Sequence, residues 1–229
     1  GDPFFERSPI QRLMSRILFV WARANPELSY RQGMHELLAP IVSVLWLEAE
    51  EAAQATDAPN TPCRQPTTGP EAEDEVRALL GHLVMPAHVE AAAWHLFSRM
   101  MASVRGWFEA APRLKAPDKV HGKPQALPQL PATPLQRKCA QIQDELLGLC
   151  DPALHLRIRA LSIEPQLYLL RWLRLLFGRE FHIEDVKVLW DAIFAFGAES
   201  QGSSSPTTAL ALVDYLAVAM LMYCARVRA

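Results

Sequence analysis

The stretch Ser8-Pro9-Ile10-Gln11-Arg12-Leu13-Met14-Ser15-Arg16-Ile17-Leu18-Phe19-Val20-Trp21 decides the fold class. Ile10, Leu13, Met14, Ile17, Leu18 and Trp21 recur at three- and four-residue spacing, the period of a helix that buries one stripe. Ser8 stands where a cap belongs, Pro9 at the first helical position, and Gln11 three residues after the cap. Asn25-Pro26 ends this helix, because a residue before proline avoids the helical region. Met34, Leu37, Leu38, Ile41 and Leu45 form the next stripe, and Pro40 within it predicts a kink or a restart.

The same period continues downstream. Helices are predicted near Val76–Leu83, His88–Trp107, Gln136–Leu149, Pro152–Arg159, Pro165–Phe177, Ile183–Phe196 and Ala209 to about Arg226. Gly178 is expected as a left-handed cap after Phe177. Glu184 and Asp185 fall in a first turn, and Gly197 just past a helix end. No run alternates with period two for the length of a strand, and all seven threonines lie in segments read as linkers. The expectation is an all-α domain spanning residues 1–229. Residues 49–75 and 109–135 hold ten of the eighteen prolines. Connections of that length are uncommon inside a compact domain, so both are expected to be flexible insertions. Gln201 to Thr208 reads as a further linker.

Composition excludes several function classes. The 229 residues carry a formal net charge of −2, against the basic surplus that a nucleic-acid surface needs. Eighteen of the 23 basic residues are arginine, a bias toward specific ion pairing rather than a diffuse field. There is no G-x-G-x-x-G and no G-x-x-x-x-G-K-[ST], so no phosphate cradle is expected. Cys63, Cys139, Cys150 and Cys224 have no C-x-x-C spacing, which argues against a structural zinc site and for a reducing compartment. The most apolar stretch, Ala209 to Cys224, contains Asp214 and is short for a bilayer, so no transmembrane segment is expected. His35-Glu36-Leu37-Leu38-Ala39 approaches the zinc-protease pattern H-E-x-x-H, but Ala39 removes the second imidazole. No metal site is expected.

Two stretches carry more. Tyr30-Arg31-Gln32-Gly33-Met34 lies between a helix break and an apolar helix, where functional groups are often displayed. Gln32 falls outside the Met34/Leu37/Leu38/Ile41 stripe and shares a face with Glu36, so it should point outward. An exposed amide that donates and accepts can orient a water molecule for in-line attack on a phosphoryl group. A turn with an incidental polar residue fits the same stretch. In Arg171-Trp172-Leu173-Arg174-Leu175-Leu176-Phe177-Gly178-Arg179-Glu180-Phe181, the apolar residues leave Arg171 and Arg174 at the edge of a buried surface. Trp190-Asp191 supplies a carboxylate, and Asp191 is expected to pair with Arg171 or Arg174. That pairing would lock two helices; direct contact with a ligand is the alternative.

Together these motifs resemble the TBC domain, the Rab GTPase-activating domain family. Its pattern includes Y-x-Q-G-M before a helix, then R-W-x-x-x-L-F-x-R-E-F and W-D-x-x-F. Here these are Tyr30–Met34, Arg171–Phe181 and Trp190–Phe194, in the same order. His35-Glu36 replaces the family's common Asn-Asp, as in a sub-branch. The resemblance implies an all-helical fold and catalysis in trans on a GTP-bound Rab, with Gln32 as a glutamine finger replacing the Rab's own glutamine. It also implies that Tyr30, Arg31, Gly33, Met34, His35 and Glu36 contact the Rab. Arg171, Trp172, Arg174, Arg179, Trp190 and Asp191 would be structural.

GTP and magnesium would belong to the Rab, leaving this chain without a cofactor of its own. It would regulate an enzyme rather than act as an independent hydrolase, in the cytoplasm and on endomembranes through its Rab. The family's arginine finger comes from I-x-x-D-x-x-R, which does not occur in this sequence, and Arg7, Arg12 and Arg16 lack that context. It is expected before Gly1, on a missing N-terminal part. A catalytically silent Rab-binding adaptor is the alternative. Gln32 is expected to be accessible in a groove.

Overall fold

The computed structural model describes residues 3–56, 81, 85–110, 131–199 and 210–227. Every regular element among them is helical, as the periodicity requires. The chain divides into two compact units, residues 1–102 and 103–229. The expected Val76–Leu83 helix, apart from Gly81, lies outside the described residues, as do 57–75, 111–130 and the 201–208 linker.

The first unit is built on α1 (Pro3–Glu6), α2 (Ser8–Ala24), α3 (Met34–Thr56) and the greater part of α4 (Val89–Val104). On α2, Ile10, Leu13, Ile17 and Trp21 are buried, the core of the stripe. Its start differs from the expected capping box. Arg7 is the cap residue and its side chain makes no capping bond, while Gln11 Nε2 donates to the Phe5 carbonyl at 3.0 Å. Its end is as expected: the backbone N–H and Nδ2 of Asn25 both donate to the Trp21 carbonyl, at 3.0 and 2.9 Å.

Helix α3 runs unbroken through Pro40 to Thr56, so residues 49–56 are helix rather than insertion. An internal proline costs roughly 3 kcal/mol. Each buried aliphatic side chain returns about 1.5–3 kcal/mol. Met34, Leu37, Leu38, Val42 and Leu45 are all buried here, which outweighs the proline. Helix α4 contributes Val89, Ala93 and Phe97, whose ring meets Trp21 edge-on at 5.6 Å. Arg7 on α2's lip pairs with Glu50 of α3, and Arg16 grips Glu90 of α4 at 2.7 and 2.9 Å.

In the second unit a 3-10 turn (Arg105–Trp107) precedes α5 (Pro134–Gln141), a π-helical turn (Ile142–Leu146) and α6 (Leu147–Cys150). Thr133 and Gln136 close a capping box in front of α5. Next come α7 (Pro152–Ala160), a 3-10 turn (Pro165–Leu167), α8 (Leu169–Arg174), α9 (Ile183–Glu199) and α10 (Ala211–Val227). Helix α9 continues past Gly197, which is buried. Lys138 on α5 reaches the Asp214 carboxylate of α10 at 2.8 Å.

On α5 the Cys139 thiol is fully buried, and burial pushes it up to about 11. Burial likewise pushes Tyr168 up to about 12. Both groups hold their protons more tightly folded than unfolded. Their contribution is therefore complete below about pH 9 and is lost as pH rises toward the folded values. The thermal midpoint should fall between pH 9 and 11, and Cys139→Ala should fall less over that interval than the parent chain.

Helix α8 stops at Arg174, earlier than the spacing predicts, and Gly178 is not its left-handed cap. The positive φ values fall on Leu176 (44°) and Phe177 (62°), both fully buried. The Phe177 amide donates to the Trp172 carbonyl at 2.8 Å and the Leu176 amide to Leu173 at 3.0 Å, the paired bonds of a Schellman ending. Trp190 of α9 clasps the turn, its indole N–H donating to the Leu176 carbonyl at 2.9 Å in a buried bond. Trp190→Phe should cost about 1–3 kcal/mol by orphaning that carbonyl, read as a lower midpoint in urea or heat.

Candidate functional site

Residues 25–33 fold as a tight link whose geometry is set by buried anchors. Leu28 is buried, and the Ser29 amide returns to the Asn25 carbonyl at 2.7 Å. Ser29 takes a φ of 55° and Gly33 a φ of 102°. The Gly33 position is buried and left-handed, where any side chain would be strained by about 1–2 kcal/mol. The Gly33 carbonyl accepts from the amides of Glu36 at 3.0 Å and Leu37 at 3.3 Å, beginning the ladder of α3. Met34 is fully buried, and its sulfur takes the Arg31 N–H at 3.2 Å. The link is therefore pinned on both sides of one residue, Gln32.

Gln32 itself is exposed, in the turn before α3 rather than on a helical face shared with Glu36. Among the described residues none hydrogen-bonds its amide. The Tyr30 hydroxyl and His35 Nδ1, on either side of it in sequence, lie 2.9 Å apart. His35 Nε2 lies 3.9 Å from the Glu36 carboxylate. Arg31 is exposed beside it. Tyr30 and Arg31 are exposed and His35 and Glu36 half-buried, whereas Gly33 and Met34 are buried, so the contact with a partner expected of those two is corrected: they hold the link's path. Of the expected setting, the exposure of Gln32 is observed. A cavity of about 530 Å³ does occur, but it is lined by residues of the second unit and not by Gln32.

The Arg171–Phe181 segment and Trp190-Asp191 belong to the second unit. The expected pairing with Asp191 is corrected. Two nitrogens of Arg171 share Glu180 Oε1 at 2.7 Å, closing the Schellman turn across nine residues. Arg174 is half-buried, its guanidinium 5.7 Å from the Phe108 ring centre. Burial lowers its pKa, and its Nε has no hydrogen-bond partner among the described residues. Asp191 is exposed, as is Arg179, while Trp172 and Trp190 are buried. Sequence reading passed over Glu180 because it sits in a turn. The signal was present in Arg179-Glu180, an acid within reach once α8 ends early.

The sequence model of the Rab-GTPase-TBC domain matches residues 2–116 and 128–221. TBC1 domain family member 5 of Homo sapiens is 38% identical over 229 residues, 96% of this chain and 25% of that protein. TBC1 domain family member 5 homolog B of Dictyostelium discoideum is 48% identical over 86 residues, 38% of this chain and 8% of that protein. TBC1 domain family member 13 of Mus musculus is 28% identical over 186 residues, 81% of this chain and 34% of that protein. The chain spans about a quarter of the length of the human member 5 protein. No helix among the described residues is long and apolar enough to cross a membrane.

Proposed function

Because the chain belongs to the Rab-GTPase-TBC domain family, we propose that it activates a Rab GTPase, completing the Rab's nucleotide-cleaving site with the side chain of Gln32. TBC-domain proteins are Rab GTPase-activating proteins. The observation that supports this role for Gln32 is an exposed amide without an internal partner, on a turn whose backbone is set by the left-handed Gly33 and by the Tyr30–His35 contact across it. Such an amide can accept from the attacking water through its oxygen and donate to a γ-phosphate oxygen through its nitrogen. The backbone that carries it is pinned before the Rab arrives, and the unpartnered side chain is ordered on docking. Tyr30, Arg31, His35 and Glu36 form the surrounding contact surface, while Gly33 and Met34, both buried, shape the link from beneath instead of contacting the Rab.

GTP and Mg²⁺ are carried by the Rab, so this chain regulates an enzyme and is not itself a hydrolase. Its place of action is the cytoplasm and the endomembranes where its Rab resides. An arginine finger supplies about 10³–10⁵ in rate where it operates. Arg7 and Arg16 are engaged by Glu50 and Glu90. No I-x-x-D-x-x-R occurs among the 229 residues, so the arginine role is given to none of them.

The experiment is single-turnover phosphate release from a panel of GTP-loaded Rabs, with this chain and with a form carrying an I-x-x-D-x-x-R segment ahead of it. Acceleration of one Rab or a small group supports the activator. Binding to GTP-loaded Rab with no acceleration by either form would favour the silent adaptor, the reading that the absent I-x-x-D-x-x-R motif keeps open.

A further inference from the structure

We infer that the cavity of the second unit is a binding site for an extended peptide, held through its main-chain carbonyls and one acidic side chain. The cavity has a volume of about 530 Å³ and lies between α5, the π-helical turn and the Ser162–Gln166 segment. That size is within the range of sites that hold small ligands. Its inner wall carries Gln143, a polar side chain only 5% exposed. Gln143 comes from the π-helical turn, a local irregularity found frequently at functional sites.

The polarity of the lining follows from which atoms are already engaged. The Tyr168 hydroxyl donates to Gln143 Oε1, and the Thr133 amide donates to Gln136 Oε1 at 2.8 Å. Both glutamine oxygens are therefore occupied from within the fold. Neither Nε2 has an acceptor among the described residues, so what these two side chains offer the cavity is N–H. Arg137 adds a guanidinium with no carboxylate within 4 Å among the described residues, and Arg159 approaches Asp144 only at 3.9 Å. These N–H groups open onto the cavity, where a ligand carbonyl would accept from them in place of solvent.

Charge selects among acceptor-rich ligands. Arg137 and Arg159 face Asp144 and Glu164 in the same lining, so the formal charges cancel. A phosphate, with two or more negative charges, would meet both carboxylates. A peptide brings neutral carbonyls to Gln136 and Gln143 and can place a single carboxylate at Arg137. Ile163 and Pro165 give its apolar side chains a wall.

The test begins with selection of random heptapeptides displayed on phage against this chain. Enriched sequences, made as acetylated and amidated peptides, are then titrated calorimetrically. The expected result is a peptide family with a recurrent Asp or Glu. Arg137→Ala and Gln143→Leu should each weaken binding about tenfold, as for one lost hydrogen bond to a charged or buried group. Replacing the peptide's acid by its amide should weaken binding to the parent chain but not further weaken it to Arg137→Ala. Because Gln143→Leu can disturb the core, Gln136→Ala at the rim provides a second reading on a folded protein. Absence of any enriched family, or affinities that Arg137→Ala and Gln136→Ala leave unchanged, would overturn the proposal. Rab stimulation is not the readout, so this outcome is independent of the role given to Gln32.

Discussion

Gln32→Ala should lower Rab-stimulated phosphate release by about 10²-fold or more, the scale of losing one aligned group in a transition state. The change should fall on the chemical step and not on docking, because the contact surface formed by Tyr30, Arg31, His35 and Glu36 is untouched. Stability should hold within about 0.5 kcal/mol, since Gln32 is exposed and no described residue bonds its amide. Two measurements separate the outcomes: single-turnover hydrolysis at saturating activator, and the thermal midpoint. Equal hydrolysis rates for parent and variant, in a form that accelerates the Rab, would remove Gln32 from the mechanism. Gln32→Glu makes the comparison sharper. It keeps length and an acceptor but replaces the N–H donor with negative charge beside the γ-phosphate, so it should be no better than alanine.

The chemistry of Gln32 was legible in sequence because it depends on residue type and on its place between a helix stop and an apolar stripe. Its setting was less so. The Tyr30–His35 contact spans a turn whose path is fixed by the φ of Gly33, and no periodic rule places residues five apart in contact across a left-handed position. The helices of the first unit were readable for the opposite reason: Ile10, Leu13, Ile17 and Trp21 repeat with the helix itself. Pro40 was overweighted, because a local penalty was judged without the burial on both sides of it. Around α8 the error came from assigning the left-handed cap to Gly178 on residue preference. Burial of Leu176 and Phe177 won, the helix ended earlier, and Arg171 found Glu180 instead of Asp191. The π-helical turn at Ile142–Leu146 leaves no mark in an apolar pattern, so neither Gln143 nor the cavity it lines could be found that way.

The Schellman turn permits an expectation that reverses the usual ranking of two small residues. Phe177→Ala should destabilise the fold by about 3–5 kcal/mol, the range for deleting a buried aromatic ring. Phe177→Gly removes the same ring and also relieves the left-handed strain, roughly 1–2 kcal/mol at a φ of 62°. Against this, glycine frees the unfolded chain by about 0.4–1 kcal/mol. The two partly offset, so glycine should be no worse than alanine at 177 and up to about 1.6 kcal/mol better. Phe97 supplies the control. It is equally buried but lies inside α4, where glycine should be worse than alanine by about 0.5–1 kcal/mol. Chemical denaturation of the four variants reads both differences. If glycine trails alanine by the same margin at both positions, burial alone holds the turn, and the left-handed pair Leu176–Phe177 carries no strain for the clasp of Trp190 and Glu180 to hold in place.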